Sequence, residues 1–243
     1  GQTVNVSGDV FRLASASAHS PEPVNFGNRH VGDDASLAFS LTNTAAADGF
    51  SESLNATVGG ATGAATTNGG SFSGLAAGAS NGSALIVGLD TATVGVKTGT
   101  ATINLASDGT GTSGFGALAI GAQTVNVSGT VYRLAQANNV LGVNFGAVHV
   151  GDSVSQALTI QNVAAADGFS EGLDASFGGS SDARILTSGS ITNLAAGGSN
   201  NASMSVGINT GAAGLVTGTT TLNFASNGAD TSGLGITALD SQV

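Results

Sequence analysis

Gln2-Thr-Val-Asn-Val-Ser-Gly8 is followed by Val10-Phe-Arg-Leu-Ala14, and both stretches return later in the chain. The first recurs unchanged as Gln123-Thr-Val-Asn-Val-Ser-Gly129, and the second as Val131-Tyr-Arg-Leu-Ala135. Val4 and Val6, like Val125 and Val127, alternate with polar residues, a period of two that places them on one face of a strand. A strand that occurs twice implies a repeated unit that uses it. Working outward, Val24–Gly60 matches Val143–Gly179 at roughly 23 of 37 positions, and Ala45-Ala-Ala-Asp-Gly-Phe-Ser-Glu52 returns unchanged as Ala164–Glu171. Leu75–Gly78 likewise returns as Leu194–Gly197, and Thr98–Thr100 as Thr217–Thr219. The repeat covers nearly the whole chain, giving two copies of a unit of about 120 residues.

Within each unit the apolar residues keep the period of two, as in Leu37, Phe39 and Leu41, or Ala202, Met204, Val206 and Ile208. That spacing predicts half-buried strands near 24–31, 35–43, 53–59, 70–75, 83–90, 98–106 and 123–133, separated by Gly, Asn, Asp and Ser turns. Only Ala45–Ala47 leaves room for a turn of helix. The expected fold class is therefore all-β: two tandem immunoglobulin-like, seven-stranded β-sandwiches.

The boundaries carry a further expectation. Gln123–Arg133 follows six strands of the first unit and closes it as the seventh, whereas the second unit has no such strand after Leu239. Residues 1–14 copy that closing strand ahead of any unit to receive it. The chain thus divides into a spare strand at 1–14, a repeat at 15–133 and a repeat at 134–243 that lacks its closing strand. An open edge exposes an apolar slot and unpaired backbone groups, which an added strand relieves. Val4, Val6, Val10 and Phe11 match Val125, Val127, Val131 and Tyr132, so they are the expected self-assembly strand. The expected partner is a second copy of the chain. A head-to-tail contact of this kind is heterologous and need not close, which produces filaments. The alternative is an adhesin or stalk module cut from a longer tandem array, binding a glycan or protein through its loops.

Composition bounds the partners. Of 243 residues, 39 are Gly, none is Cys or Trp, and the formal net charge of −10 leaves only Arg12, Arg29, Lys97, Arg133 and Arg184 as strong bases. No basic stripe is available for phosphates, which argues against nucleic acid and against an anionic membrane surface. No apolar run approaches the length of a membrane-spanning helix, so no membrane insertion is expected. Positive mean hydropathy and regular alternation argue against disorder. Scarce lysine and abundant Thr, Ser, Asn and Gly suit an exported protein, secreted or held at the cell surface, with any leader already removed.

Motifs with chemical meaning give way to structural readings. Gly109-Thr-Gly-Thr-Ser-Gly114 fits a dinucleotide pattern, but no helix follows and the second copy, Gly228–Gly233, breaks it. Gly78-Ala-Ser-Asn-Gly82 mimics a hydrolase nucleophile elbow, yet its partner Gly197–Asn201 does not. His30 and His149 are equivalent and His19 stands alone, which gives no set of zinc or copper ligands. Asp48 with Glu52, and Asp167 with Glu171, are a candidate calcium pair in each unit, short of the six to eight oxygens that Ca²⁺ takes. No catalytic residue and no cofactor are expected, and the chain is read as a non-enzyme.

Val24–Gly32, Leu75–Ser80 and Val125–Val131, with second copies at Val143–Gly151 and Leu194–Ser199, resemble the choice-of-anchor D repeats of bacterial surface and secreted proteins, relatives of the hydin-type immunoglobulin domains. The resemblance implies stalk, adhesive or matrix modules without catalytic residues. It also implies a bacterial source.

Overall fold

The computed structural model describes all residues from Gly1 to Val243, and the chain is all-β, with no helix. It divides into two compact units: Gly1–Gly27 with Gly32–Thr130, and Asn28–Val31 with Val131–Val243.

The first unit contains β1 (Val24–His30), β2 (Ser36–Thr42), β3 (Ser53–Gly63), β4 (Ala65–Thr67), β5 (Ser71–Leu75), β6 (Ser80–Leu89), β7 (Gly95–Asp108) and β8 (Leu118–Tyr132), except that the ends of β1 from Asn28 and of β8 from Val131 belong to the second unit. One sheet has the order β1-β8-β7-β3-β5, the other β2-β6-β4. Alternate residues from both sheets meet in one core that includes Phe39, Leu41, Leu54, Leu85, Ile103 and Val125. Of the alternating residues, Phe39, Leu41, Met204 and Val206 are buried, whereas Leu37 and Ala202 at the starts of their runs are exposed.

β4 lies outside the expected strands. β3 leaves its sheet at Gly63, which has a φ of 58°, and the chain re-enters the opposite sheet two residues later. A Cβ on Gly63 would lie 2.5 Å from the Thr98 carbonyl oxygen, so only glycine permits this crossing. The turn of helix allowed for Ala45–Ala47 is instead an irregular bend.

The second unit repeats the plan in shorter pieces: β9 (Val154–Ala157), β10 (Ile160–Gln161), β11 (Gly172–Ser180), β12 (Ile185–Ser188), β13 (Ser190–Leu194), β14 (Ser199–Asn200), β15 (Ser205–Ile208), β16 (Thr220–Asn227) and β17 (Ile236–Ala238). Its sheets are β13-β11-β16-β17, β12-β15-β9 and the pair β10-β14. Ile160, Leu173, Met204 and Phe224 lie at the centre of its core. Two elements differ from the first unit. The long β8 is represented only by β17 and an isolated bridge between Leu222 and Gln242, and Val143–His149, the counterpart of β1, forms no strand.

The expected 1–14 segment is cut differently in the structure. Arg12 bridges Ser51, Ala16 bridges Asn43, and Ala14 is buried in the core of the first unit. Residues 11–14 are thus the first edge of that unit, and only residues 1–10 extend from it without strand pairing. Sequence could not show this break, because the repeat runs through it from Gln2 to Ala14.

Candidate functional site

Three features of the chain belong together: a strand seated in a slot, an exposed segment that repeats its sequence, and a second slot that is open.

The seated strand is β8, held between β1 and β7. Val125, Val127 and Val131 are at most 3 % exposed. At its start, Gln123 is gripped by the first edge: its Nε2 donates to Ser17 O at 2.7 Å and its Oε1 accepts from His19 N at 2.8 Å. Glu22 then accepts from Asn126 Nδ2 at 2.6 Å and lies 2.7 Å from His19 Nε2. Burial alone would raise the Glu22 carboxyl, but the hydrogen bonds from His19 and Asn126 outweigh it and hold the group below its ordinary value. Further along, a Cβ on Gly129 would come within 2.5 Å of Leu89 Cδ2 and 3.0 Å of Gly27 O. That glycine lets β8 lie close to Gly27 of β1 and to Leu89 of β6 in the opposite sheet.

The exposed copy is residues 2–10. Val4, Val6 and Val10 are 82–89 % exposed, and nothing lies within 4 Å of a Cβ on Gly8. Phe11, expected to act with these valines, is instead half-buried, with its ring 5.6 Å from that of Phe50.

The open slot is in the second unit, a groove of about 580 Å³. Val143, Phe145, Leu158, Val206, Ile208 and Leu222 line it. Their counterparts in the first unit are Val24, Phe26, Phe39, Val87, Leu89 and Ile103, all buried and all in the core that Val125 and Val127 complete. Gln242, the counterpart of Gln123, is gripped in the same way: its Nε2 donates to Asn138 O at 2.8 Å, and its Oε1 accepts from Val140 N at 3.0 Å. The groove begins where Val243 leaves that grip, on the course Val125–Val131 follow in the first unit.

The first edges of the two units also match bond for bond. Arg12 N donates to Phe50 O and Arg133 N to Phe169 O, both at 2.8 Å. Arg12 pairs with Asp48 at 2.6 Å, Arg133 with Asp167 at 2.7 Å. The rings of Tyr132 and Phe169 lie 6.0 Å apart. In both aspartates the hydrogen bond from the arginine is the main cause that holds the carboxyl below its ordinary value. Asp48 and Asp167 are therefore committed to arginines and do not join Glu52 and Glu171 in a common ligand set.

Those two glutamates do something the sequence reading missed. Glu52 is buried, accepting from Ser107 Oγ at 2.7 Å and Ser113 Oγ at 2.5 Å. Glu171 is fully buried, accepting from Ser226 Oγ at 2.6 Å and from Ser232 Oγ. Each set of serines also holds the first edge in place, since Ser107 Oγ accepts from Ala14 N and Ser226 Oγ from Ala135 N, both at 2.7 Å. The Gly109–Gly114 loop, which mimics a phosphate motif, wraps this carboxylate: a Cβ on Gly109 would lie 2.5 Å from Glu52 Oε1. The detectable signal is spacing, because Glu52–Ser107–Ser113 and Glu171–Ser226–Ser232 share separations of 55 and 61 residues.

Among the histidines, His19 lies against the edge of Phe39 and between Gln123 and Glu22. His30, within the second unit, has its Nε2 2.8 Å from Glu171 Oε1. His149, its counterpart, is 96 % exposed in its side chain.

No family model and no curated protein matches the chain. Among solved structures, the chain is similar to a protein of unknown function from Porphyromonas gingivalis W83 at 12% identity and a TM-score of 0.36, over 91% of this chain and 96% of that one. It is also similar to the chaperone–tip adhesion subunit pre-assembly complex of Csu pili from Acinetobacter baumannii, at 12% identity and 0.34, over 85% and 99%. The VesB protease of Vibrio cholerae aligns at 16% and 0.29, over 49% of this chain and 32% of that one. Likenesses this distant bear on neither family nor activity.

Proposed function

We propose that the chain is a structural subunit of an extracellular filament, sheath or surface layer, built from two immunoglobulin-like sandwiches of the choice-of-anchor D kind. It assembles head to tail, with residues 2–10 of one copy seated in the groove of the second unit of the next. One observation carries this reading: the heptapeptide that is buried at Val125 and Val127 in the first unit is exposed at Val4 and Val6, while the equivalent slot of the second unit is an open apolar groove. Gly8 fits the same picture. Where it stands it meets nothing, but in the groove it would face Phe145, Gly146 and Ile208, the counterparts of the residues that demand glycine at 129.

The matched first edges support a second copy as the donor's destination. Val131 leads directly into Tyr132 and Arg133, docked at Phe169 and Asp167, and Val10 leads into Phe11 and Arg12, docked on the same two residue types. Residues 2–10 thus stand to the first unit as 123–131 stand to the second, as the closing strand of a preceding unit. The reading includes no catalysis: His19, Glu22, Glu52, Glu171, Asp48 and Asp167 hold edges and loops. No helix is long and apolar enough to cross a membrane.

The experiment compares the full chain with one lacking residues 1–10 by light scattering and electron microscopy. Filaments from the full chain, absent in the truncation and shortened by added 1–10 peptide, are the expected result. A compact single copy whose groove accepts the peptide only after truncation would mean closure within one chain. Single copies from both, with no peptide binding, would overturn the proposal and leave the stalk or adhesin module of a longer tandem array, in which a covalently linked unit supplies the strand.

A further inference from the structure

Resting on the assembly just proposed, the structure assigns a second contact between copies: we infer that His149 of one copy hydrogen-bonds the buried carboxylate of Glu52 in the next. The pattern is present once within the chain. His30 is the last residue of β1, and the backbone N–H of Val31 beside it donates to Tyr132 O at 2.9 Å. The end of β1 therefore accompanies the end of β8 to the first edge of the second unit, and this brings His30 Nε2 to Glu171 Oε1 at 2.8 Å. The imidazole is the third partner of that carboxylate, after Ser226 and Ser232.

In the first unit the same cradle is built without that third partner. Ser107, Ser113 and Gly109 enclose Glu52 as Ser226, Ser232 and Gly228 enclose Glu171. No basic side chain forms an ion pair with Glu52, which is 3 % exposed where Glu171, covered by His30, is 0 %. A buried carboxylate with two hydroxyl donors and no cation is under-satisfied, since its two oxygens together offer about four acceptor sites. The residue that would complete it is His149, the repeat counterpart of His30. It stands three residues beyond Val143–Gly146, which line the groove, with its side chain exposed and a loose contact to Asp152 at 3.7 Å. When residues 2–10 of a neighbour enter the groove and lead to Phe11 and Arg12, Val150 N meets Phe11 O as Val31 N meets Tyr132 O, and His149 arrives at Glu52. The groove thus selects a strand, and the histidine selects the unit attached to it.

The test uses the full chain. His149→Ala removes an exposed side chain and leaves the fold intact; it should raise the critical concentration for assembly about 10–100-fold, the range for a hydrogen bond to a charged group. Binding of the 1–10 peptide, which carries no Glu52, should be unchanged. In a Glu52→Gln background, His149→Ala should add less than about threefold. Peptide binding with an unaltered critical concentration in His149→Ala would overturn the inference and leave strand donation standing, as would a loss of equal size in the Glu52→Gln background. Absence of both peptide binding and assembly in the unsubstituted chain would overturn the underlying reading. Should Glu52→Gln fail to fold, His149→Ala and the peptide alone decide.

Discussion

Replacing Val4 and Val6 by alanine separates the role of the exposed strand from the stability of the fold that carries it. In the single copy both side chains are more than four-fifths exposed, so the double substitution should leave the melting temperature of the monomer unchanged. Their identical counterparts Val125 and Val127 are 0 % and 3 % exposed, which sets the burial expected on docking. A buried valine contributes about 1.5–2 kcal/mol by transfer from water, and truncation in a filled slot adds a cavity cost, giving about 1.5–2.5 kcal/mol per site. The pair should then weaken copy-to-copy affinity by about 3–5 kcal/mol, which is roughly a factor of 10² to several times 10³. Sedimentation of a dilution series reads this as a rise in critical concentration of the same size. Val125→Ala with Val127→Ala should give the mirror result, a loss of about 3–5 kcal/mol from the first unit without direct effect on docking. Assembly of the Val4/Val6 variant at an unaltered concentration would refute the reasoning, as would a lowered melting temperature of its monomer.

Gly8→Val should likewise spare the monomer and impair assembly, whereas Gly129→Val should destabilise the first unit by about 1–3 kcal/mol through its clash with Leu89, measurable by chemical denaturation. Ser107→Ala strands both Ala14 N and Glu52 Oε2, for an expected loss of about 2–4 kcal/mol and faster hydrogen exchange at Ala14; Ser226→Ala should do the same at Ala135. Acid should loosen the first edges and the Asp182 turn. The hydrogen bonds from Arg12, Arg133 and Arg184 depress Asp48, Asp167 and Asp182, the last to about 2, so their stabilisation is complete above the ordinary value of 3.8 and fades as pH falls below it. Thermal melts should therefore be flat from neutrality to about pH 5 and decline below about pH 4, less steeply in an Arg12→Gln, Arg133→Gln variant.

The repeat, the all-β class and seven of the strands were legible because strand alternation and internal identity are local properties of the chain. β4 was not, since Ala65–Thr67 is too short to show a period and exists because Gly63 turns the chain into the opposite sheet. The limit of the exposed strand was also hidden. Val10-Phe-Arg-Leu-Ala14 reads as one strand, yet a bond between Arg12 and Phe50 and the burial of Ala14 divide it by contacts about 40–90 residues distant. Glu52 and Glu171 show in the sequence only as calcium candidates, because their serine partners lie far along the chain and the histidine that reaches Glu171 lies 141 residues before it. Val4, Val6 and Val10, singled out by the repeat as a self-assembly strand, stand exposed in the single copy, a placement that the sequence they share with Val125, Val127 and Val131 does not distinguish from burial.

The position of β8 between two neighbouring strands has a mechanical consequence. Ladder bonds run across a strand, so a pull along β8 from Tyr132 loads the bonds on both flanks in shear, together, and cannot open them one at a time. The side-chain grip on Gln123 and the packed valines resist the same slide. A tether of this construction yields abruptly under tension and holds its length until it does.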